Sequence, residues 1–173
     1  MPILCRVTRG DLTESIHVVF AVAVDETGTV FYSTGDPYYP TCIRSSLKPF
    51  QAAAAVKAGA VDAAGFSDDE LAMMCASHSG EDIHVKTVQS MLNKLGLSIA
   101  DLECGTHFPL DKITQRKMIK DGKNAEPFHN NCSGKHVGML ALAKHLGQGI
   151  KGYIQKDHPV QKEIFNLVNE LTG

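Results

Sequence analysis

At 173 residues, with 43% hydrophobic and 21% charged side chains and a formal charge of −2, the sequence reads as one soluble globular domain, residues 1–173, able to bury a real core. It has no basic run, so it lacks the Lys/Arg stripe a nucleic-acid backbone requires, and nucleic acid is excluded as a partner. The longest apolar stretches, around Val18 to Val24 and Ala52 to Val56, are far too short to span a membrane, and no charged segment followed by an apolar one opens the chain; a cytoplasmic protein is expected. Five cysteines, Cys5, Cys42, Cys75, Cys104 and Cys132, are odd in number and contain no Cys-x-x-Cys pair, which argues against a disulfide framework.

In chain order the pattern gives strands first and helices after. Ile3 to Thr8 and Ile16 to Val24 are rich in β-branched residues, and Asp25-Glu26-Thr27-Gly28 turns the chain into Thr29 to Ser33, so a β-meander is expected. Gly35-Asp36-Pro37 ends it. A mostly buried helix is expected from about Ser46 to Lys57, with Pro49 in its first turn and Gly59 beyond its end. Ser67-Asp68-Asp69-Glu70 has the form of a capping box for a helix to about Ala76, and Asp82 to Leu95 is amphipathic and closed by Gly96. Ser98 caps a short turn through Leu102. Further helices are expected over Asp111 to Lys120, Lys135 to Leu146 and Pro159 to Leu171.

Three clusters carry chemistry. In Arg44-Ser45-Ser46-Leu47-Lys48-Pro49, Ser45 and Lys48 stand three apart, which on one helical turn puts hydroxyl and ammonium on the same face. A partly desolvated lysine near other cations can lose its proton near neutral pH and take the one a serine nucleophile must shed, the chemistry of amide or ester hydrolysis. With ten serines and thirteen lysines in the chain, roughly one Ser-x-x-Lys arises by chance, so the motif gains weight only from its surroundings. The second cluster, Ala76-Ser77-His78-Ser79-Gly80-Glu81, is a run of small polar groups between two helices; it can deliver a hydroxyl to a pocket or simply cap the next helix, with His78 a surface residue.

The third cluster, His129-Asn130-Asn131-Cys132-Ser133-Gly134-Lys135-His136, crowds functional side chains at the start of a strongly apolar helix. A helix N-terminus favours a thiolate, so Cys132 is a candidate metal ligand or nucleophile. Ligand chemistry alone pairs Cys132 with His136, four residues on, for zinc, and makes Lys135 a poor ligand unless deprotonated. The bland alternative is a capped helix with Asn130 or Asn131 as cap, Cys132 buried and Lys135 solvated. His17, His84, His107, His145 and His158 have no ligand spacing.

Taken in order, Arg44 to Gln51, Ala76 to Glu81 and Asn131 to Leu140, followed by His158-Pro159-Val160-Gln161, resemble the bacterial asparaginase II family, the thermolabile or rhizobial-type L-asparaginases. The resemblance implies an α+β fold similar to serine β-lactamases and glutaminases, with an antiparallel sheet packed with helices. It implies hydrolysis of the side-chain amide of L-asparagine, with Ser45 and Lys48 as one Ser-Lys tandem in which Ser45 is the nucleophile or a relay to it, and Ser77 as the serine of a second. It also implies Arg44 and His136 in the substrate pocket, and Cys132 and Lys135 as two ligands of a zinc ion. Family members continue beyond Gly173 with the second lysine and a further cysteine ligand, so this chain is expected to be an N-terminal portion, weakly active or inactive alone and poor in zinc affinity. Exposed apolar faces favour association, with a homodimer expected. Two other classes stay open: a different serine amidase or β-lactamase-like acyl-transfer enzyme using Ser45 and Lys48, and a noncatalytic interaction domain.

Overall fold

In the computed structural model, which describes residues 2–172, the opening strands form two separate antiparallel hairpins instead of one meander. β1 (Ile3–Arg9) pairs with β2 (Leu12–Val19), from Ile3 opposite Val19 to Arg9 opposite Leu12, and β3 (Ala21–Val24) pairs with β4 (Val30–Thr34). The expected strand from Ile16 to Val24 is broken at Phe20, whose ring stacks on Tyr39 with centroids 4.5 Å apart and lies where a side chain on Gly35 would sit. The turn is as the residues dictate: Asp25 Oδ1 accepts from the backbone N–H groups of Thr27 and Thr29, both at 2.9 Å, and Gly28 takes φ +82°. These hairpins belong to one unit of the chain, Met1–Ile43; the second unit, Arg44–Gly173, is helical. The content is therefore α+β.

The helical unit opens with a 3-10 turn, Arg44–Leu47, that runs directly into α1 (Lys48–Lys57), with Pro49 in the first turn where its missing N–H costs nothing. A short α2 (Ala60–Ala64), not expected from periodicity, follows Gly59 at φ +82°. α3 (Asp68–Cys75) starts at the capping box: Ser67 Oγ accepts the Glu70 N–H and Glu70 Oε2 accepts the Ser67 N–H. α4 (Asp82–Lys94), α5 (Lys112–Lys120) and α7 (Pro159–Thr172) fall within a residue or two of the expected ranges.

α6 (Ser133–His145) is the axis of the core. Val137, Leu140, Leu142 and Ala143 on it are fully or almost fully buried, and it packs against α1, α2, α3, α4 and α7. A helix surrounded on every side needs apolar residues all round, and a glycine wherever a neighbour approaches closely. Gly134 lies against the Met73 carbonyl of α3, and Gly138 against the Met74 side chain. The helix also begins two residues before the expected Lys135, because Asn130 supplies the turn into it: Oδ1 accepts the Cys132 N–H at 2.9 Å and Nδ2 donates to the Cys104 carbonyl at 2.7 Å. Among the described residues, no helix is long and apolar enough to cross a membrane.

Candidate active site

Lys48 is 3% exposed, and burying a lysine is tolerated only where its nitrogen finds partners. It has three: the Ser77 Oγ at 2.6 Å, the Ala76 carbonyl at 2.9 Å and the Asn131 carbonyl at 3.5 Å. An ammonium can donate one N–H to each. A neutral amine can donate its two N–H bonds to the carbonyls and turn its lone pair to the Ser77 hydroxyl. Either protonation state is thus hydrogen-bonded in place, which is what a group that takes and returns a proton requires. Ser77 is an exposed residue, whereas the amine it meets belongs to a buried one.

Ser45 sits on the 3-10 turn beside Arg44, the one non-glycine residue with positive φ among those described, at +50°. Its hydroxyl forms no hydrogen bond with Lys48 or with any other described residue. Lys48 begins the α-helix, and its side chain is drawn to the C-terminal end of α3, where the Ala76 carbonyl is free to accept. Ser45 and Lys48 nevertheless line one pocket of about 290 Å³ with Arg44, Leu47, Gln51, Cys132 and Lys135. That volume is near the small end of ligand sites, ~300 Å³. A larger groove of about 810 Å³ along α4 and α5, with Ile83, Ile113 and Met118 in its walls, holds none of these residues.

Burial, opposed by the nearby Cys132 and assisted by Lys48, pushes the Lys135 ammonium below its ordinary range. Burial raises the Cys104 thiol to about 11, with Cys132 adding to the shift and Lys135 opposing it. His136 is 7% exposed, and burial holds its imidazole down to about 3, with Lys135 and Lys48 reinforcing. Its Nδ1 lies 2.8 Å from the Tyr153 hydroxyl, which also accepts from the Glu103 N–H. His136 is not among the residues lining the 290 Å³ pocket.

The geometry corrects one reading and adds others. His78 is not a surface residue: it is 4% exposed, its Nδ1 accepts the Gly80 N–H at 3.2 Å, and its Nε2 lies 2.8 Å from Ser133 Oγ. Burial, with His84 and Lys48 adding, lowers it to about 4, so it is neutral. Gln51 lines the pocket without a hydrogen-bond partner among the described residues. It was legible as one helical turn beyond Lys48. The Asn131 carbonyl, a backbone group, left no signal in the sequence.

A helical unit that buries a lysine against the Ser77 hydroxyl, with that lysine also lining a small cationic pocket, has the makings of an acyl-transfer site; Ser77 itself is not among the residues lining that pocket. The family model for L-asparaginase II matches residues 5–173, and the chain belongs to that family. No curated protein matches the chain significantly.

Proposed function

We propose that the protein is an amidohydrolase that cleaves the side-chain amide of L-asparagine to L-aspartate and ammonia through a serine activated by Lys48. The observation that carries the reading is the 2.6 Å contact between Lys48 Nζ and Ser77 Oγ in a member of the L-asparaginase II family. As the Ser77 oxygen attacks the amide carbon, its proton passes to the neutral Lys48 amine. The resulting ammonium returns it to the nitrogen as the carbon–nitrogen bond breaks, and ammonia leaves. Water then attacks the acyl-serine, giving its proton to Lys48, which returns it to the Ser77 oxygen as the ester bond breaks and L-aspartate leaves. Arg44, whose guanidinium has no partner among the described residues, takes the substrate α-carboxylate. His136 serves as a neutral imidazole toward the substrate, and Ser45 is the hydroxyl among the residues lining the pocket. The serine β-lactamase- and glutaminase-like architecture belongs to the same reading.

Zinc enters only through Cys132 and Lys135, which share the pocket. A cysteine sulfur is a usual zinc donor, and a lysine amine becomes one only when deprotonated, which the lowered Lys135 makes easier. Two donors are half of a tetrahedral set, and among the described residues no group of three His, Cys, Asp or Glu side chains is placed to hold a metal. When bound, the ion would supply positive charge beside the substrate; no proton transfer above depends on it.

Ammonia release from L-asparagine, with L-glutamine and a β-lactam as comparisons, tests the proposal. Asparagine turnover that disappears in Lys48→Met supports it, and acyl-enzyme trapping in Ser45→Ala and Ser77→Ala identifies the acylated oxygen. Asparagine turnover unaffected by Lys48→Met would sink it.

A further inference from the structure

We propose that His78 and Ser133 form a positioning pair that fixes the Ser77 loop against the start of α6 and so sets the distance between Ser77 Oγ and Lys48 Nζ. This rests on the serine–lysine reading above and extends it to two residues that do not touch the substrate.

Ser77 lies in a segment without regular structure between α3 and α4, so no helical ladder holds its hydroxyl in place. The ties come from outside. The His78 N–H donates to the Asn131 carbonyl at 3.2 Å, the same carbonyl that Lys48 Nζ approaches. The Ser79 carbonyl accepts the Asp111 N–H at 3.0 Å, and Gly80, at φ +80°, passes so close to His129 and Pro109 that a Cβ would meet both at 3.0 Å. The side-chain tie is His78. Because Nδ1 accepts from Gly80, the imidazole proton is on Nε2 and is donated to Ser133 Oγ at 2.8 Å; Ser133 Oγ in turn donates to the Phe128 carbonyl at 3.2 Å.

Every bond in that chain thus has one direction, and Ser133 has no freedom to turn: it is fully buried as the first residue of α6. The pair therefore joins the residue after Ser77 to the residue after Cys132, with Lys135 one half-turn further along the same helix. An active-site hydroxyl is useful only if its supporting contacts are locked, and a misplacement of about 1 Å can cost about 100-fold in rate. The neutral state of the buried His78 agrees with the donor and acceptor assignment.

The test compares the full chain with His78→Asn, which keeps an acceptor near Gly80 but no longer reaches Ser133, with Ser133→Ala, and with the double variant. Two quantities are read: steady-state asparagine hydrolysis, and the rate at which a fluorophosphonate labels Ser77 or Ser45, located by peptide mass spectrometry. Each single variant is expected to lower kcat and the labelling rate by about 10- to 100-fold with KM changed less than about twofold, and the double variant to lose no more than the worse single one. Lowered labelling without asparagine turnover in any form would remove the substrate reading and keep the positioning pair. Labelling at the unsubstituted rate in both folded single variants, or no serine labelling in the unsubstituted chain, overturns the pair. If His78→Asn does not fold, Ser133→Ala reads the same quantity alone; failure of both to fold assigns the two residues to structure only and overturns the proposal as well.

Discussion

Lys48 Nζ and Ser77 Oγ stand 2.6 Å apart although 29 positions separate them in the chain, and Lys48 is a buried residue while Ser77 is an exposed one. Replacing Lys48 by methionine keeps the volume of the stem and removes the proton acceptor. The Ala76 and Asn131 carbonyls lose a donor, a cost of about 1–3 kcal/mol that water entering beside the exposed Ser77 reduces. The expected result is a modest fall in melting temperature with a loss of about 100- to 10,000-fold in turnover. Parallel thermal melts and ammonia assays check this; a large loss of stability with proportionate loss of activity would point to a structural lysine instead.

Gly134 and Gly138 lie on the same side of α6, and alanine at each separates steric from helical effects. Propensity alone favours alanine by about 1 kcal/mol. At Gly134 the added methyl overlaps the Met73 backbone carbonyl, which α3 holds in place; at Gly138 it meets the end of the Met74 side chain at 2.6 Å, which can turn away. Gly134→Ala is expected to destabilise by about 2–3 kcal/mol and Gly138→Ala to stay within about 1 kcal/mol of the parent. Urea titrations rank them, and equal stabilities would show that the helices separate easily.

How far the sequence spoke for itself follows from the range of each interaction. The capping box at Ser67 and Glu70, the Asp25 turn and the glycine stops are local, and each was legible from residue types a few positions apart. The apolar run from Ile16 to Val24 hid the break at Phe20, because the ring that breaks it answers to Gly35 and Tyr39, beyond any local period. The same limit governs the site. Three stretches carrying Ser45, Ser77 and Cys132 stood out, yet the spacing of Ser45 and Lys48 suggested a bond within one turn, whereas Lys48 reaches Ser77 at the end of α3. His78 looked like a surface residue since its partner, Ser133, is 55 positions away.

His78 also makes stability depend on pH. Its imidazole titrates at about 4 in the folded chain against ~6.5 in an unfolded one. Between those values the unfolded chain binds more protons, so the contribution is complete above about pH 6.5 and is lost as pH falls toward 4. The full shift is worth up to about 3 kcal/mol, and His136, at about 3, adds in the same direction. Unfolding free energies in urea at pH 7, 6 and 5 are expected to fall in that order. A flat profile would mean that both rings can be protonated without leaving their partners.

Metal binding gives the last expectation. Cys132 and Lys135 share a pocket wall, and burial already lowers the cost of deprotonating Lys135, so added zinc has a sulfur and an amine to meet. A closed zinc site needs four donors, and Cys104 resists ionisation, its thiol raised to about 11 by burial with Cys132 adding to the shift. Zinc is therefore expected to bind weakly near neutral pH, more tightly as pH rises, and to lose affinity in both Cys132→Ala and Lys135→Met. Competition against a chromophoric chelator measures this. Tight binding at pH 7 that survives Cys132→Ala would place the metal elsewhere on the chain, and a Lys135→Met variant with unchanged affinity would leave the amine as a substrate-facing cation.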